Sequence, residues 1–313
     1  MKSKIKESKI KQRKFKQSKG DMVFNTVNTV LLLLIAFITL YPFWNLLIVS
    51  FNDSINSVGG TIYFWPRMFS LENYRSILSN NSLIGATLIS LLRTIIGTIS
   101  SVFCTMMLAY TLSRKEYVFR KYISALFVFT MFFSGGLIPS YMLNKSLGFI
   151  GAFSVYIIPG LISAFNVIVA RSFIQELPDS IIESARIDSA GDFKIFLSII
   201  LPLSLPVMAT LALFTSVGHW NDWFTTFLYN SRSKDLHVLQ YKLMEMLQAA
   251  NQLSGSAADA GSYAEMAKAG AKVVTPQSMR AAMTILVTLP ILLVYPFLQK
   301  YFVKGFTLGG VKE

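Results

Sequence analysis

Residues 183–206, ESARIDSAGDFKIFLSIILPLSLP, form a polar interruption between two long apolar segments. Their pattern predicts a short helix, a turn, a second helix and then the start of an apolar span. Pro178, Asp179 and Ser180 stand just upstream, and Ser180 with Glu183 makes an S-x-x-E capping box, so the first helix is expected to start at Ser180. Gly191 suits the left-handed residue that ends it. Asp192 can cap the second helix, while Pro202 and Pro206 set where the next segment begins. The expected shape is a compact helical elbow projecting from a membrane.

Composition supports the membrane. The 313 residues are 53% hydrophobic and 14% charged, with a mean hydropathy of +0.52; a soluble chain of this size carries about a quarter charged residues. A net charge of +13 would suggest nucleic acid in a soluble protein. Here the bases stand beside apolar runs, as membrane topology requires, which argues against nucleic acid as a partner. The single cysteine, Cys104, excludes an internal disulfide framework and offers no metal cluster.

Read from the start, residues 1–19 carry nine Lys or Arg against one Glu, a basic tail in contact with water and anionic lipid. Apolar runs follow at about 23–49, 83–112, 122–143, 152–173, 203–229 and 281–302, each near or above the ~20 residues that cross a bilayer. The first is too long for a signal-peptide core and has no small-residue cleavage site, so it is expected to stay in place. The fold class is therefore an all-α polytopic membrane protein with six transmembrane helices, because lipid satisfies no open backbone groups. The expected organisation is a basic tail at 1–20, a transmembrane domain at 21–306 and a short tail at 307–313. Within the domain, the elbow loop covers 174–202 and a long loop on the opposite side covers 230–279. Placing both termini and the elbow inside puts 19 of the 29 Lys and Arg on that side, nine outside and Arg93 in the membrane. That is the expected excess. The stretch 249–272 is rich in Ala, Gly and Ser and is expected to be a small helix or a mobile loop.

The elbow motifs resemble the EAA loop of bacterial ABC importer permeases. Glu183-Ser184-Ala185, Asp188-Ser189-Ala190 and Leu201-Pro202-Leu203-Ser204-Leu205-Pro206 stand at that loop's spacing, with Ser184 for the first Ala and Ser189 where Gly is usual. The displaced turn glycine is expected at Gly191. Ala109-Tyr110-Thr111-Leu112-Ser113-Arg114 is similar to the end of the family's second core helix. Ser134-Gly135-Gly136-Leu137-Ile138-Pro139-Ser140-Tyr141 and the run from Tyr295 to Gly305 resemble the LplC-type subgroup, importers of oligosaccharides or polysaccharide fragments related to the smaller maltose permease subunit.

The resemblance implies that the elbow is a coupling helix seated in the cleft of a cytoplasmic ATPase. Its coupling residues are then Ser180, Glu183, Ser184, Ala185, Arg186, Asp188, Ser189, Ala190, Gly191 and Phe193, with Glu183, Arg186 and Asp188 as polar anchors. The competing reading of the same helix is an ordinary amphipathic loop. Implied partners are a second permease subunit, two ATP-binding subunits and an extracellular sugar-binding protein, all at a bacterial cytoplasmic membrane. The tail 304–313 would reach between the ATPase subunits or fray.

A second constellation is Gly218-His219-Trp220-Asn221-Asp222-Trp223. A charge in hydrocarbon costs about 2.5–3.5 kcal/mol on insertion scales, so Asp222 should face protein or water. Trp220, Asn221 and Asp222 could line a sugar path, Trp faces stacking on rings and Asn and Asp binding hydroxyls; an interfacial aromatic belt is the alternative. Arg93, mid-span, is expected to meet a carboxylate or line a cavity, and Asn45 and Asn166 follow the same argument more weakly. No G-x-x-x-x-G-K-[ST] occurs, so energy must come from a partner and no cofactor is expected. Nor do the spans carry paired catalytic residues or chains of ionisable groups, which argues against an enzyme and against an ATP-independent secondary transporter.

Overall fold

The computed structural model describes residues 18–308 apart from 59, 61, 80 and 254–273. Most of the expected basic tail, the Ala/Gly/Ser-rich stretch from 254 on and the last five residues lie outside that set.

Among the described residues the chain is all helical. The extended pairing consists of one isolated bridge between Asn52 and Phe69. The helices are α1 (Lys19–Ser50), α2 (Ser54–Val58), α3 (Glu72–Leu78), α4 (Asn81–Ser113), α5 (Arg120–Phe132), α6 (Leu137–Ser146), α7 (Ala164–Gln175) and α8 (Asp179–Ile187). After them come α9 (Asp192–Leu203), α10 (Leu205–Asn221), α11 (Leu239–Leu253) and α12 (Pro276–Leu308).

Among the described residues three helices, α1, α4 and α12, are each long and apolar enough to cross a membrane; α5–α6 and α9–α10 raise the number to five if each bent pair counts as one crossing. The apolar runs are thus less continuous than their hydropathy suggests. The run expected at 122–143 bends by 120° between α5 and α6, where Gly136 takes φ +87, a value open to glycine at little cost. In the run at 152–173 only Ala164–Gln175 is α-helix, after a 3₁₀ turn at Phe153–Tyr156. Pro159 and Gly160 fall in the irregular stretch between them. The run at 203–229 turns by 81° at Ser204, where Pro202 and Pro206 remove two backbone donors. A π-helical segment, Phe196–Ile200, precedes that turn, and the α-helix stops at Asn221 before a second π segment at Thr226–Asn230. Such departures persist at membrane depth only where protein or a wet cavity surrounds them.

The long helix α4 is the axis of the bundle and packs most extensively on α10 and α7, while α12 closes against α1, α11 and α10. Ala109, Ala170 and Ala282 are fully buried at these contacts. Small residues matter here because lipid tails are as apolar as the helices, so close backbone approach replaces the hydrophobic drive between spans. Toward the elbow, Met106, Tyr110, Ile174, Ile182, Ile195, Phe196 and Leu211 form one buried cluster. Near the other end Leu83, Trp220, Leu243, Met283 and Val287 form a second. The polar middle of α4 lies between them.

Candidate functional site

The elbow starts one residue earlier than its capping box suggests. Pro178 is the N-cap of α8, and the Ser180 hydroxyl does not cap it; Asp179 in the first turn complements the helix dipole. Ile182 is 3% exposed and sits in the elbow-end core with Ala185 and Ala190 packed beside it. Glu183, Ser184, Arg186, Ile187 and Asp188 face outward. Ser184 Oγ donates back to the Ser180 carbonyl at 2.8 Å.

The helix ends in a Schellman motif. Ala190 N–H donates to Ala185 O at 3.0 Å and Ser189 N–H to Arg186 O at 3.0 Å. The left-handed residue this closure needs is Ser189, at φ +59. Gly191, expected to take it, is extended instead (φ −69, ψ 156) and is the N-cap of α9, which displaces Asp192 to the first helical position. The reason is a count along the backbone: with Ile187 the last helical residue and Asp188 the cap, the reversal falls on 189, whatever residue stands there.

Three ion pairs surround α8. Arg186 Nη1 donates to Glu116 Oε1 at 2.8 Å and Nη2 to Asp192 Oδ1 at 3.3 Å, and Lys115 Nζ lies 3.3 Å from Asp179 Oδ2. The Arg114 guanidinium lies 5.2 Å from the centre of the Tyr110 ring, which stacks on Phe196 at 5.8 Å. A hydrogen bond from its own backbone N–H, and then that of Arg186, hold the Glu116 carboxyl below the usual carboxylate range. The same bonds to Glu116 and Asp192 push Arg186 further up. Glu183 has no ion-pair partner among the described residues. With Ile187, 84% exposed, and Phe193, 62% exposed, it forms an outward face of one acid and two apolar side chains.

A second site lies between α4, α7 and α10, where a cavity of about 450 Å³ is lined by Arg93, Tyr156, Asn166, His219, Asp222 and Tyr229, among others. Arg93 is 3% exposed. Its Nη1 donates to the Asp222 carbonyl at 2.6 Å, its Nη2 donates to Asp222 Oδ2, and its guanidinium lies over the Tyr156 ring at 4.6 Å. Asp222 also accepts from Thr225 N–H at 3.0 Å and from the Thr225 hydroxyl, so it starts the next turn as it ends α10. One turn along α4 from Arg93, Gly97 makes room for the His219 ring; a Cβ there would stand 2.5 Å from Nε2.

The expected path residues therefore separate. Arg93, Asp222 and Asn166 share the cavity, with Asn166 Nδ2 3.5 Å from Thr215 Oγ1. Trp220 is 5% exposed in the outer core, its indole N–H donating to Val287 O at 2.9 Å, and so presents no free face to a sugar. Asn221 accepts from Gln240 at 3.1 Å, outside the cavity, and Asn45 ties α1 to the Ile62 carbonyl at 2.6 Å. Sequence reasoning missed Tyr156, His219 and Tyr229. His219 was within reach, since it stands three residues before Asp222 on one helix face. The two tyrosines come from segments read as plain spans. Hydroxyl, amide, imidazole and aromatic groups around one cavity can bind hydroxyls and stack on rings.

Residues 76–308 match the family described as "Binding-protein-dependent transport system inner membrane component". The polygalacturonan/rhamnogalacturonan transport system permease protein YtcP of Bacillus subtilis (strain 168) is 38% identical over 281 residues, 90% of this chain and 95% of that protein. Protein LplC of the same organism is 36% identical over 295 residues, 94% and 97% of the two chains. A bacterial ABC transporter of known crystal structure, involved in the import of the acidic polysaccharide alginate, superposes with a TM-score of 0.81 at 25% identity, covering 92% of this chain and 99% of its own. A family match across the bundle, with relatives aligned over nearly their whole length, settles the assignment: the chain belongs to the binding-protein-dependent transport system inner membrane components.

Proposed function

We propose that this chain is one of two permease subunits of an ATP-driven importer that carries fragments of acidic polysaccharides across a bacterial cytoplasmic membrane. It is a transport subunit, and ATP hydrolysis belongs to partner subunits. The substrate class rests on its relatives, one named for polygalacturonan and rhamnogalacturonan and one for alginate. In this reading the bent pairs and α7 complete six crossings, both termini and the elbow face the cytoplasm, and an extracellular binding protein delivers the sugar from the other side. The cavity around Arg93, Asn166 and Asp222 is part of the path, and its hydroxyl and amide lining suits a chain of sugar hydroxyls.

The observation that carries the coupling role is the outward face of α8. Its underside is fixed in the core by Ile182, while Glu183 and Ile187 of α8 and Phe193 of α9 face outward, and Glu183 has no ion-pair partner among the described residues. A helix so held can transmit a push from an ATPase cleft to α7 and α9, to which it is joined. Reconstitution with the partner subunits tests this. Glu183→Lys should leave insertion intact and cut sugar uptake by at least about tenfold, the scale of losing a charge-assisted contact; uptake at the normal rate refutes the role.

A further inference from the structure

Lys115 and Glu116 are consecutive residues in the turn between α4 and α5, and they reach opposite ends of α8. Lys115 meets Asp179 in its first turn at 3.3 Å, and Glu116 meets Arg186 in its last turn at 2.8 Å. The turn is anchored at its root, where Leu112 and Ser113 are buried and Ser113 Oγ donates to Tyr110 O at 2.7 Å. Tyr110 in turn stacks on Phe196 of α9. Arg186 also reaches Asp192 at 3.3 Å, so one guanidinium joins the α4–α5 turn, α8 and α9.

We propose that residues 114–119 are the second half of the coupling device, a two-point cradle that makes α8 move with α4 and α5 as well as with the helices joined to it. The apolar underside of α8 resists sliding, but a short helix held along one face can still roll about its own axis. Ionic ties at both ends, from one short turn, oppose that roll. A push on the outward face is then passed into α4, which runs from the cradle to Arg93 and the cavity over twenty residues, about 30 Å of helix. This rests on the reading of α8 as the ATPase contact.

The experiment uses the complete transporter in proteoliposomes and reads sugar transported per ATP hydrolysed. Glu116→Lys should lower that ratio about fivefold, the upper end for an exposed pair turned repulsive, while the ATPase subunits still co-purify. Lys115→Glu and Asp179→Lys should each lower it about threefold, and the two together should restore most of it. A role in folding alone would change the amount of complex and leave the ratio unmoved. Should Glu116→Lys fail to assemble, Glu116→Gln keeps the question open to measurement, with about a twofold loss expected, matched by the wild type at high salt. A normal ratio in the Glu116 variants, or a double reversal as poor as its single members, overturns the cradle. If Glu183→Lys uncouples the transporter and Glu116→Lys does not, the cradle alone fails; if neither does, the elbow reading fails with it.

Discussion

Arginine meets carboxylate both at the elbow and inside the bundle, under opposite conditions. At the elbow, Arg186 is 40% exposed and shared between Glu116 and Asp192, which are 62% and 72% exposed. In the bundle, Arg93 is 3% exposed and clasped by one aspartate. Water around the first pair weakens it, and such pairs typically contribute about 0.2–1 kcal/mol. In the second pair the guanidinium is almost wholly buried, so removing Asp222 would leave a buried charge at a cost of about 3–5 kcal/mol, while Asp222, 30% exposed, borders the cavity. The exposed ties therefore restrain α8 only weakly, whereas the buried pair fixes where α10 ends.

The largest effect expected from breaking this contrast is at Arg93. Arg93→Met should leave Asp222 without its cation, held by Thr225 alone at the edge of the cavity, and reduce the fraction of detergent-solubilised transporter that stays monodisperse on mild heating. Adding Asp222→Leu should recover part of the loss, because a well-packed apolar pair can replace a buried ionic one. Recovery should be incomplete, since Asp222 also holds Thr225. An Arg93→Met protein as heat-resistant as the wild type would show that the pair does not hold the helix break.

A smaller effect is expected one turn along α4. Gly97→Ala puts a methyl 2.5 Å from the His219 ring, which must shift; overpacking of this kind costs about 1–3 kcal/mol. His219→Ala in the same chain should relieve it, and the measure is the same heating assay. Equal loss in the single and double variants would mean that the ring is not what the helix gave way for.

The two regions also differ in how far the sequence announced them. The elbow is punctuated by residues whose constraints are local: Pro178, Pro202 and Pro206 limit where helices start, and small residues at 185 and 190 allow it to lie close on the bundle. Its misplacements, the start assigned to Ser180, the reversal assigned to Gly191 and the cap assigned to Asp192, came from reading residue preference ahead of hydrogen-bond closure. The cavity is a different case. Arg93 and Asp222 were each visible as a charge in an apolar run, but they lie 129 residues apart and nothing local joins them. Tyr156 and Tyr229 were hidden because hydropathy cannot separate a continuous span from one interrupted at Pro159 or Asp222. Trp220 misled for a related reason: an indole suited to a sugar is equally suited to a helix contact, and only the carbonyl of Val287 decides between them.

The smallest effect is the one that separates backbone from charge at the elbow. Ser189 occupies the left-handed position at φ +59, where a residue with a Cβ is strained by about 1–2 kcal/mol. Glycine removes that strain but adds freedom to the unfolded chain worth about 0.4–1 kcal/mol, so Ser189→Gly should stabilise by about 0–1.6 kcal/mol. Because the closure through Ala190 and Ala185 is made by main-chain atoms, the elbow keeps its path and sugar transported per ATP should stay unchanged. Ser189→Val forces a β-branched side chain into the same φ and should lower both stability and transport. The pair of substitutions thus distorts the turn while leaving every charge in place. If Ser189→Val uncouples transport as strongly as reversal of Glu116, the geometry of the turn carries the coupling and the ionic ties follow it; if the valine chain is less stable but still couples, the ties themselves hold α8 to α4.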